Sequence, residues 1–170
     1  MFLSGYHGTS LSNANNIVLE NQYNISNGKK EWLGPGIYFY FDINDAYEWR
    51  NSEAIMHSVI RIEENEFLDI DTEIGSSIFN QIIDHIALRQ KKSVNKSVKK
   101  SQKNQCAVMK MIWDSNPNIK AIAASFPSTP TKVRTLLDRR HVRKEFCVRN
   151  NDSIVFTYII RKDEINGWSK

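Results

Sequence analysis

The sequence predicts a single α+β domain, with strands towards both ends of the chain and helices between them. Three observations predict this class. Short apolar and aromatic runs near both ends have the length of β-strands. Stretches between these runs repeat apolar residues at helical spacing. The chain has 170 residues, which suits one compact domain, and its 41% hydrophobic residues are enough for a core.

Capping residues and turns predict the elements of the first half. Ser10 or Ser12 can cap a first helix, and Asp42 can cap a second. A turn at residues 34–36, with the sequence Gly-Pro-Gly, precedes an aromatic strand. The predicted order is a strand at Phe2–His7, a helix over roughly Asn13–Asn21, a loop to residue 30, a strand at Ile37–Phe41 and a helix over Asn44–Arg50.

Apolar spacing predicts the elements of the second half. Helices are expected over about Gly75–Arg89 and Cys106–Trp113, separated by a polar, lysine-rich insertion at 90–105 that we expect to be mobile. Their inward stripes are Phe79, Ile82, Ile83 and Ile86 in the first helix, and Val108, Met109 and Ile112 in the second. Strands are predicted at Ile55–Ile62, Phe67–Ile70, Ile119–Ala124, Glu145–Arg149 and Ile154–Arg161, with a loop at 127–131.

Composition excludes several classes of protein. The two cysteines, Cys106 and Cys147, form no CxxC pair and have no zinc-binding spacing, so we expect neither a disulfide framework nor a metal. The first eight residues lack the basic and apolar regions of a signal peptide. No apolar run approaches the ~18 residues of a membrane span. The sequence therefore predicts a soluble cytoplasmic protein without membrane association.

The net charge of +4 is unevenly distributed along the chain. Lysines crowd the stretch from Arg89 to Lys110, which has no acidic residue. A second basic run extends from Arg134 to Lys144 and is relieved only by Asp138. Such runs attract phosphates through Coulomb attraction and counterion release, and they are equally typical of solvated surface. Both interpretations stay open at this point.

Three short segments carry candidate chemistry. They are His7-Gly8-Thr9 at the end of the first strand, Gly34-Pro35-Gly36-Ile37-Tyr38-Phe39 followed by Tyr47, and Glu145-Phe146-Cys147-Val148 followed by Tyr158. Each segment alone is typical of ordinary core and turn residues. In this order and spacing, they resemble the ADP-ribosyltransferases of the His-Tyr-Glu class, which includes diphtheria-like toxins and the poly(ADP-ribose) polymerases. The resemblance covers about residues 2–62 and 119–160.

This resemblance implies one ADP-ribosyltransferase domain over the whole chain, with a split, strongly twisted and mostly antiparallel sheet. It implies NAD as the ADP-ribose donor, and the implied reaction needs no metal. The implied catalytic residues are His7, Tyr38 and Glu145. His7 would also hold a ribose hydroxyl of NAD.

The same resemblance implies a pocket for nicotinamide. Tyr38 and Tyr47 would stack on the ring, and its positive charge adds a cation–π attraction. Gly8 would let the main chain approach the carboxamide, and Thr9 would add a hydroxyl. Asn44 stands where many members of the class place a serine that contacts this carboxamide.

Glu145 is the residue expected to carry the chemistry. Cleavage of the bond to nicotinamide builds positive charge on the ribose, and a carboxylate that holds the 2′-hydroxyl stabilises it. The same carboxylate can polarise the incoming nucleophile. Asp152 is the alternative, but Glu145 and Tyr158 keep the internal spacing of the class. Arg143 replaces the Glu or Gln that selects arginine acceptors in a related class, so arginine-directed activity is not expected.

The acceptor is the least determined part of this interpretation. A chain without room for a regulatory region favours single transfer and is similar to small bacterial or phage-defence toxins, some of which have an antitoxin partner. The basic runs favour DNA or RNA as acceptor, with protein as the alternative. An NAD glycohydrolase and an inactive nucleic-acid-binding module are further alternatives.

Overall fold

A computed structural model describes residues 1–28, 31–50, 52–90, 102–127 and 142–161. The strands are β1 (Phe2–Thr9), β2 (Ile37–Tyr40), β3 (Ala54–Arg61), β4 (Phe67–Asp69), β5 (Ala121–Pro127), β6 (Val142–Val148) and β7 (Ile154–Arg161). The helices are α1 (Leu11–Glu20), α2 (Ile43–Glu48), α3 (Glu73–Gln90) and α4 (Gln102–Ser115), with short 3-10 helices at Glu64–Glu66 and Asn151–Ser153. The predicted α+β class is confirmed, and the largest shift of a boundary is the start of α4 at Gln102 rather than Cys106.

The strands form one seven-stranded sheet in the order β4-β5-β6-β2-β1-β3-β7. The sheet is mixed because β4 runs parallel to β5, while the other neighbours pair antiparallel. This corrects the prediction of a split, mostly antiparallel sheet. The chain passes from β4 to β5 through α3 and α4, and such a crossover returns the strand in the same direction.

The pairing between β1 and β2 is the shortest in the centre of the sheet. Its register has one Cα pair, Tyr6 opposite Tyr40. By contrast, β1 pairs with β3 along its whole length, from Phe2 opposite Arg61 to Thr9 opposite Ala54. Beyond Tyr6, β1 therefore relies on β3 and on side chains rather than on a ladder with β2.

Helices cover both faces of the sheet. On one face, here called the α1 face, Ala14 and Ile17 of α1 pack with Phe39 and Phe146 in a buried cluster. The opposite face, here called the α2 face, carries two clusters. Near β1, β2 and β3 the cluster includes Ala46 of α2. Near β4, β5 and β6 it consists largely of residues from α3, α4 and the strands beneath them.

Local interactions explain where the first helices begin and how the turn before β2 is built. Ser10, not Ser12, caps α1, since its hydroxyl accepts from the Asn13 amide at 3.2 Å. Asp42 caps α2 as predicted. Gly34 has a φ of 84°, and a Cβ there would lie 2.8 Å from Trp113 Cδ1. Glycine is therefore required where the turn packs against α4.

Several predictions fall outside the described residues. These are most of the basic insertion, at 91–101, the loop beyond residue 127, and most of the second basic run. Within the described ranges, no helix combines the length and apolar composition needed to cross a membrane.

Candidate active site

A row of side chains crosses the α2 face of the sheet and ends at Glu145. The register places Tyr158 opposite His57, His57 opposite Tyr6, Tyr6 opposite Tyr40, and Tyr40 opposite Glu145. Residues directly opposite each other on neighbouring strands project to the same face. The carboxylate thus ends a continuous line of aromatic side chains that begins on the edge strand β7.

The Glu145 carboxyl has a strongly shifted acidity. Burial raises its pKa to about 7, with smaller contributions in the same direction from the charges of Asp45 and Glu31. The Tyr40 hydroxyl, which donates a hydrogen bond to the carboxylate, and the nearby Arg143 both oppose this rise. A carboxyl with a pKa near neutrality can take up and release a proton under physiological conditions.

Tyr40 and Arg143 are the neighbours that favour the ionised form of Glu145. Tyr40 is buried, and burial raises the pKa of its phenol, which keeps it protonated and able to donate. Arg143 Nη2 lies 2.8 Å from Glu48 Oε2, and its Nε lies 3.2 Å from Asp45 Oδ1. Because Asp45 is only 2% exposed, these ion pairs tie α2 to β6 beside Glu145.

Sequence reasoning did not assign a role to Tyr40 or Asp45. Tyr40 lies two residues after Tyr38, so both project to the same face of β2. That alternation was a signal that either phenol could meet Glu145. Asp45 has a weaker signal, since it lies among polar residues in a short helix, and only the packing of α2 on β6 makes it buried.

The Tyr38 hydroxyl holds the turn that precedes its strand. It accepts from the Leu33 amide at 2.9 Å and donates to the Gly34 carbonyl at 2.7 Å. Burial raises the pKa of this phenol well above its usual value, and the charge of Glu145 adds to the rise. Tyr38 and Glu145 therefore share a face and an electrostatic environment, and the Tyr38 hydroxyl is engaged within the turn.

His7 approaches the tyrosine strand from the other side. Its ring contacts Tyr23 and Phe39 edge-on, at centroid distances of 5.4 and 6.1 Å, which places it on the α1 face. Its Nδ1 lies 2.8 Å from the Tyr38 carbonyl oxygen. A carbonyl only accepts, so Nδ1 donates and Nε2 is the acceptor nitrogen. Burial lowers the pKa of His7, which favours this neutral form.

The positions of these side chains define the route of a ligand that would contact all three. His7 lies on the α1 face, whereas Tyr38 and Glu145 lie on the α2 face. The imidazole meets β2 just beyond the single register pair between β1 and β2. Such a ligand would have to pass over the sheet beyond the Tyr6–Tyr40 pair, where no further register pair joins β1 to β2.

Gly8 is needed for packing within the protein. A Cβ at this position would lie 2.3 Å from the Ala46 carbonyl oxygen of α2. The close approach predicted for a ligand is therefore made by α2 itself. Thr9, the last residue of β1, accepts a hydrogen bond from the Glu53 amide through its carbonyl, at 2.9 Å. Its position at the strand end agrees with the prediction, and its hydroxyl role stays a prediction.

The two residues predicted on α2 lie in different environments. Asn44 is exposed, and its side-chain amide donates to Asp42 Oδ1 at 3.0 Å, so it takes part in the helix cap. Tyr47 is partly buried and packs in the same cluster as Tyr40. Tyr47 and Tyr38 thus lie in the two different clusters of the α2 face.

Asp152, the alternative carboxylate, lies in a separate place. It is part of the 3-10 helix before β7 and accepts from the Asn150 side-chain amide at 2.8 Å. It lines an open groove of about 540 Å³ at the end of the sheet, together with residues such as Arg61 and Lys120. Within the described ranges, no group of three or more His, Cys, Asp and Glu side chains is arranged to hold a metal ion.

The described residues of the second basic run are engaged in ion pairs. Arg143 pairs with residues of α2, as above. Lys144 Nζ lies 2.7 Å from Asp69 Oδ2 and 3.6 Å from Asp71 Oδ2. These two cations therefore neutralise acidic groups of the fold, which favours a structural interpretation for this part of the run.

Comparison with known proteins is sparse. No family model matches the chain, and no solved structure matches it. Uncharacterized protein MJ0359 of Methanocaldococcus jannaschii is 33% identical over 76 residues, which cover 38% of this chain and 36% of that protein. The chain thus matches about a third of the length of that curated relative, whose name states no activity.

Proposed function

We propose that this chain is an NAD-dependent mono-ADP-ribosyltransferase with Glu145 as its catalytic carboxylate. One observation carries the proposal. Glu145 has a pKa of about 7, receives a hydrogen bond from the buried Tyr40, and shares a face of the sheet with Tyr38. A carboxyl prepared in this way, between two clusters rich in aromatic residues, suits the cleavage of a glycosidic bond to an aromatic leaving group.

The side chains around Glu145 can share the work of binding NAD. Tyr38 and Tyr47 offer aromatic surfaces in the two clusters of the α2 face, and a cationic nicotinamide ring is attracted to such surfaces. His7 offers Nε2 as an acceptor for a ribose hydroxyl near the separation of β1 and β2. Gly8, Thr9 and Asn44 are also proposed to lie near bound NAD, and the contacts described for them are within the protein.

Glu145 acts on the ribose in the proposed reaction. The bond between ribose C1′ and the nicotinamide nitrogen breaks, and its electron pair leaves with nicotinamide, which departs neutral. The ionised carboxylate stabilises the positive charge that develops on the ribose. The acceptor atom then bonds to C1′, and Glu145 takes up the proton that this atom loses. The leaving group needs no acid catalyst.

The acceptor in this proposal is a macromolecule, and a nucleic acid is favoured over a protein. We further propose that the protein acts in the cytoplasm as a toxin, with an antitoxin as its partner. The uneven positive charge of the chain supports a polyanionic acceptor.

The test compares two carboxylate variants of matched design. Wild type, Glu145→Gln and Asp152→Asn are incubated with labelled NAD and with cellular RNA, DNA and protein. We expect Glu145→Gln to lower nicotinamide release by about 10²- to 10³-fold, since it removes a group that stabilises the transition state. Asp152→Asn should stay close to wild type, because Asp152 is exposed and lies in the 3-10 helix before β7 rather than on β6.

The products separate the proposal from its alternatives. Label on a macromolecule supports transfer, whereas nicotinamide release without label on any macromolecule indicates a glycohydrolase. A correctly folded wild-type protein that releases no nicotinamide from NAD would refute the proposed chemistry. Loss of activity in Asp152→Asn alone would move the catalytic role to that residue.

A further inference from the structure

The α2 face of β1, β3 and β7 exposes a set of aromatic side chains beyond the edge of α2. We call it the aromatic face and define it by Phe2, Tyr6, His57, Phe156 and Tyr158. Phe2, Phe156 and Tyr158 are 68%, 56% and 42% exposed, and Tyr6 and His57 are partly exposed. The opposite sides of β1 and β3 are buried, so this exposure follows from strand alternation and is confined to one face.

The rings of the aromatic face touch across neighbouring strands. Tyr6 stacks on His57 with ring centroids 4.8 Å apart and planes inclined by 20°. His57 meets Tyr158 edge-on at 4.9 Å, and Tyr158 lies 5.7 Å from Phe156. These contacts hold the rings in fixed positions, which limits the conformational entropy lost when a flat ligand binds on them.

The charge of this face selects among possible ligands. Among the side chains that the described parts of β1, β3 and β7 direct to this side, none is acidic. Arg61, which is exposed, lies opposite Phe2 and adds a positive charge beside the rings. Exposed aromatic rings with a neighbouring arginine suit stacked bases joined by phosphates.

The aromatic face and the proposed active site lie on one cross-strand row. Tyr158, His57 and Tyr6 occupy the same cross-strand row as Tyr40 and Glu145. Four strand spacings separate the Cα atoms at the two ends of this row, or roughly 19 Å. The row is open at β7 and passes beneath α2 at Tyr40, which is buried.

We propose that the aromatic face binds a single-stranded nucleic acid and directs it towards Glu145. Single strands are favoured over duplexes because only unpaired bases present their flat surfaces to protein rings. The delivery of the strand to Glu145 rests on the function proposed above, whereas the binding itself does not.

The test measures binding apart from catalysis. Short fluorescein-labelled DNA and RNA single strands, and the matching duplexes, are titrated with wild type and with Phe156→Leu and Tyr158→Leu. Leucine keeps an apolar side chain but removes the ring. Val155→Ala is the control, since Val155 is 58% exposed on the same strand, carries no ring and lies where the pairing of β7 with β3 shifts register. Each ring substitution is expected to weaken single-strand binding by roughly 5- to 100-fold, with little change for the control.

Further readouts distinguish loss of strand binding from misfolding and from self-association of the chain. Thermal unfolding checks that each variant is folded, and sedimentation measures association between copies of the chain. Nicotinamide release from NAD is recorded for wild type with and without the strand. Arg61→Gln should reduce the slope of log affinity against log salt concentration by about 1, which corresponds to the loss of one phosphate contact.

Each outcome decides the proposal. Ring-dependent binding that prefers single strands supports it. Equal affinity in wild type and both folded ring variants overturns it, whatever the level of nicotinamide release. Ring variants that disrupt a dimer and keep their affinity for the strand overturn it in favour of a second copy as occupant. Ring-dependent binding without any nicotinamide release supports the binding surface and removes the proposed reaction.

Discussion

Replacement of Tyr40 by phenylalanine removes the hydroxyl that donates to Glu145 and leaves the ring in place. The hydrogen bond favours the ionised carboxylate, so its loss raises the pKa of Glu145 above the present value of about 7. If the ionised form is the active one, the pH at which activity is half-maximal moves upward by the same amount. At high pH, the activity of the variant should approach that of wild type.

The expected size of this shift follows from the burial of the pair. A hydrogen bond to a charged group contributes about 1.5–3 kcal/mol, and one pKa unit corresponds to about 1.4 kcal/mol. Tyr40 is buried, but Arg143 continues to favour the charged form after the substitution. We therefore expect a rise of about one pKa unit, which lowers the rate by about fivefold at pH 7 and by up to about tenfold at lower pH.

Two assays measure the shift independently. The first is nicotinamide release as a function of pH at low NAD concentration, which reports groups of the free enzyme. The second is the titration of the Glu145 side-chain carboxyl by carbon NMR, assigned with Glu145→Gln, and it does not depend on activity. Tyr23→Phe is the matched control, because it removes the hydroxyl of another buried tyrosine, bonded to Ser58.

A wild-type titration midpoint near 4.5, the ordinary value of a glutamate, would refute the reasoning about burial. An unchanged midpoint in Tyr40→Phe would refute the role assigned to the hydroxyl. If Tyr23→Phe shifted the midpoint as much as Tyr40→Phe, the effect would be general loosening of the fold rather than loss of one hydrogen bond.

Three further predictions concern stability. Because the pKa of Glu145 is raised from 4.5 to about 7 in the folded protein, ionisation opposes folding, and wild type loses stability as pH rises through this range. In urea unfolding at pH 8, Glu145→Gln should thus have a free energy of unfolding about 2–3 kcal/mol above that of wild type, and at pH 4 the difference should be much smaller. Equal differences at pH 8 and pH 4 would contradict this. Arg143→Gln leaves the buried Asp45 without this cation and should cost about 2–4 kcal/mol, whereas Lys110→Met, which breaks an exposed pair, should change stability by less than about 1 kcal/mol. Gly8→Ala places a Cβ against the Ala46 carbonyl and should lower the melting temperature by an amount equivalent to about 1–3 kcal/mol, and a variant as stable as wild type would show that α2 can move away.

Most secondary structure could be predicted because local patterns determine it. The run at Ile37–Tyr40 and the three residues that follow Glu145, Phe146-Cys147-Val148, are short apolar runs, and Ser10 and Asp42 are strong caps. The placement of Glu145 on a β-strand could therefore be predicted from the sequence. The parallel pairing of β4 with β5 was not, since it depends on where a long crossover returns.

The sequence by itself determined which residues could lie on each strand, and the tertiary structure decided which of them meet. Tyr38 and Tyr40 project to the same face, and only the register between β2 and β6 places Tyr40 opposite Glu145. Likewise, the packing of α2 against β1 and β6 decides that Gly8 accommodates the Ala46 carbonyl and that Arg143 neutralises Asp45. The physical reason is that alternation within one strand is a local property, whereas register and burial arise from pairs of segments far apart in the chain.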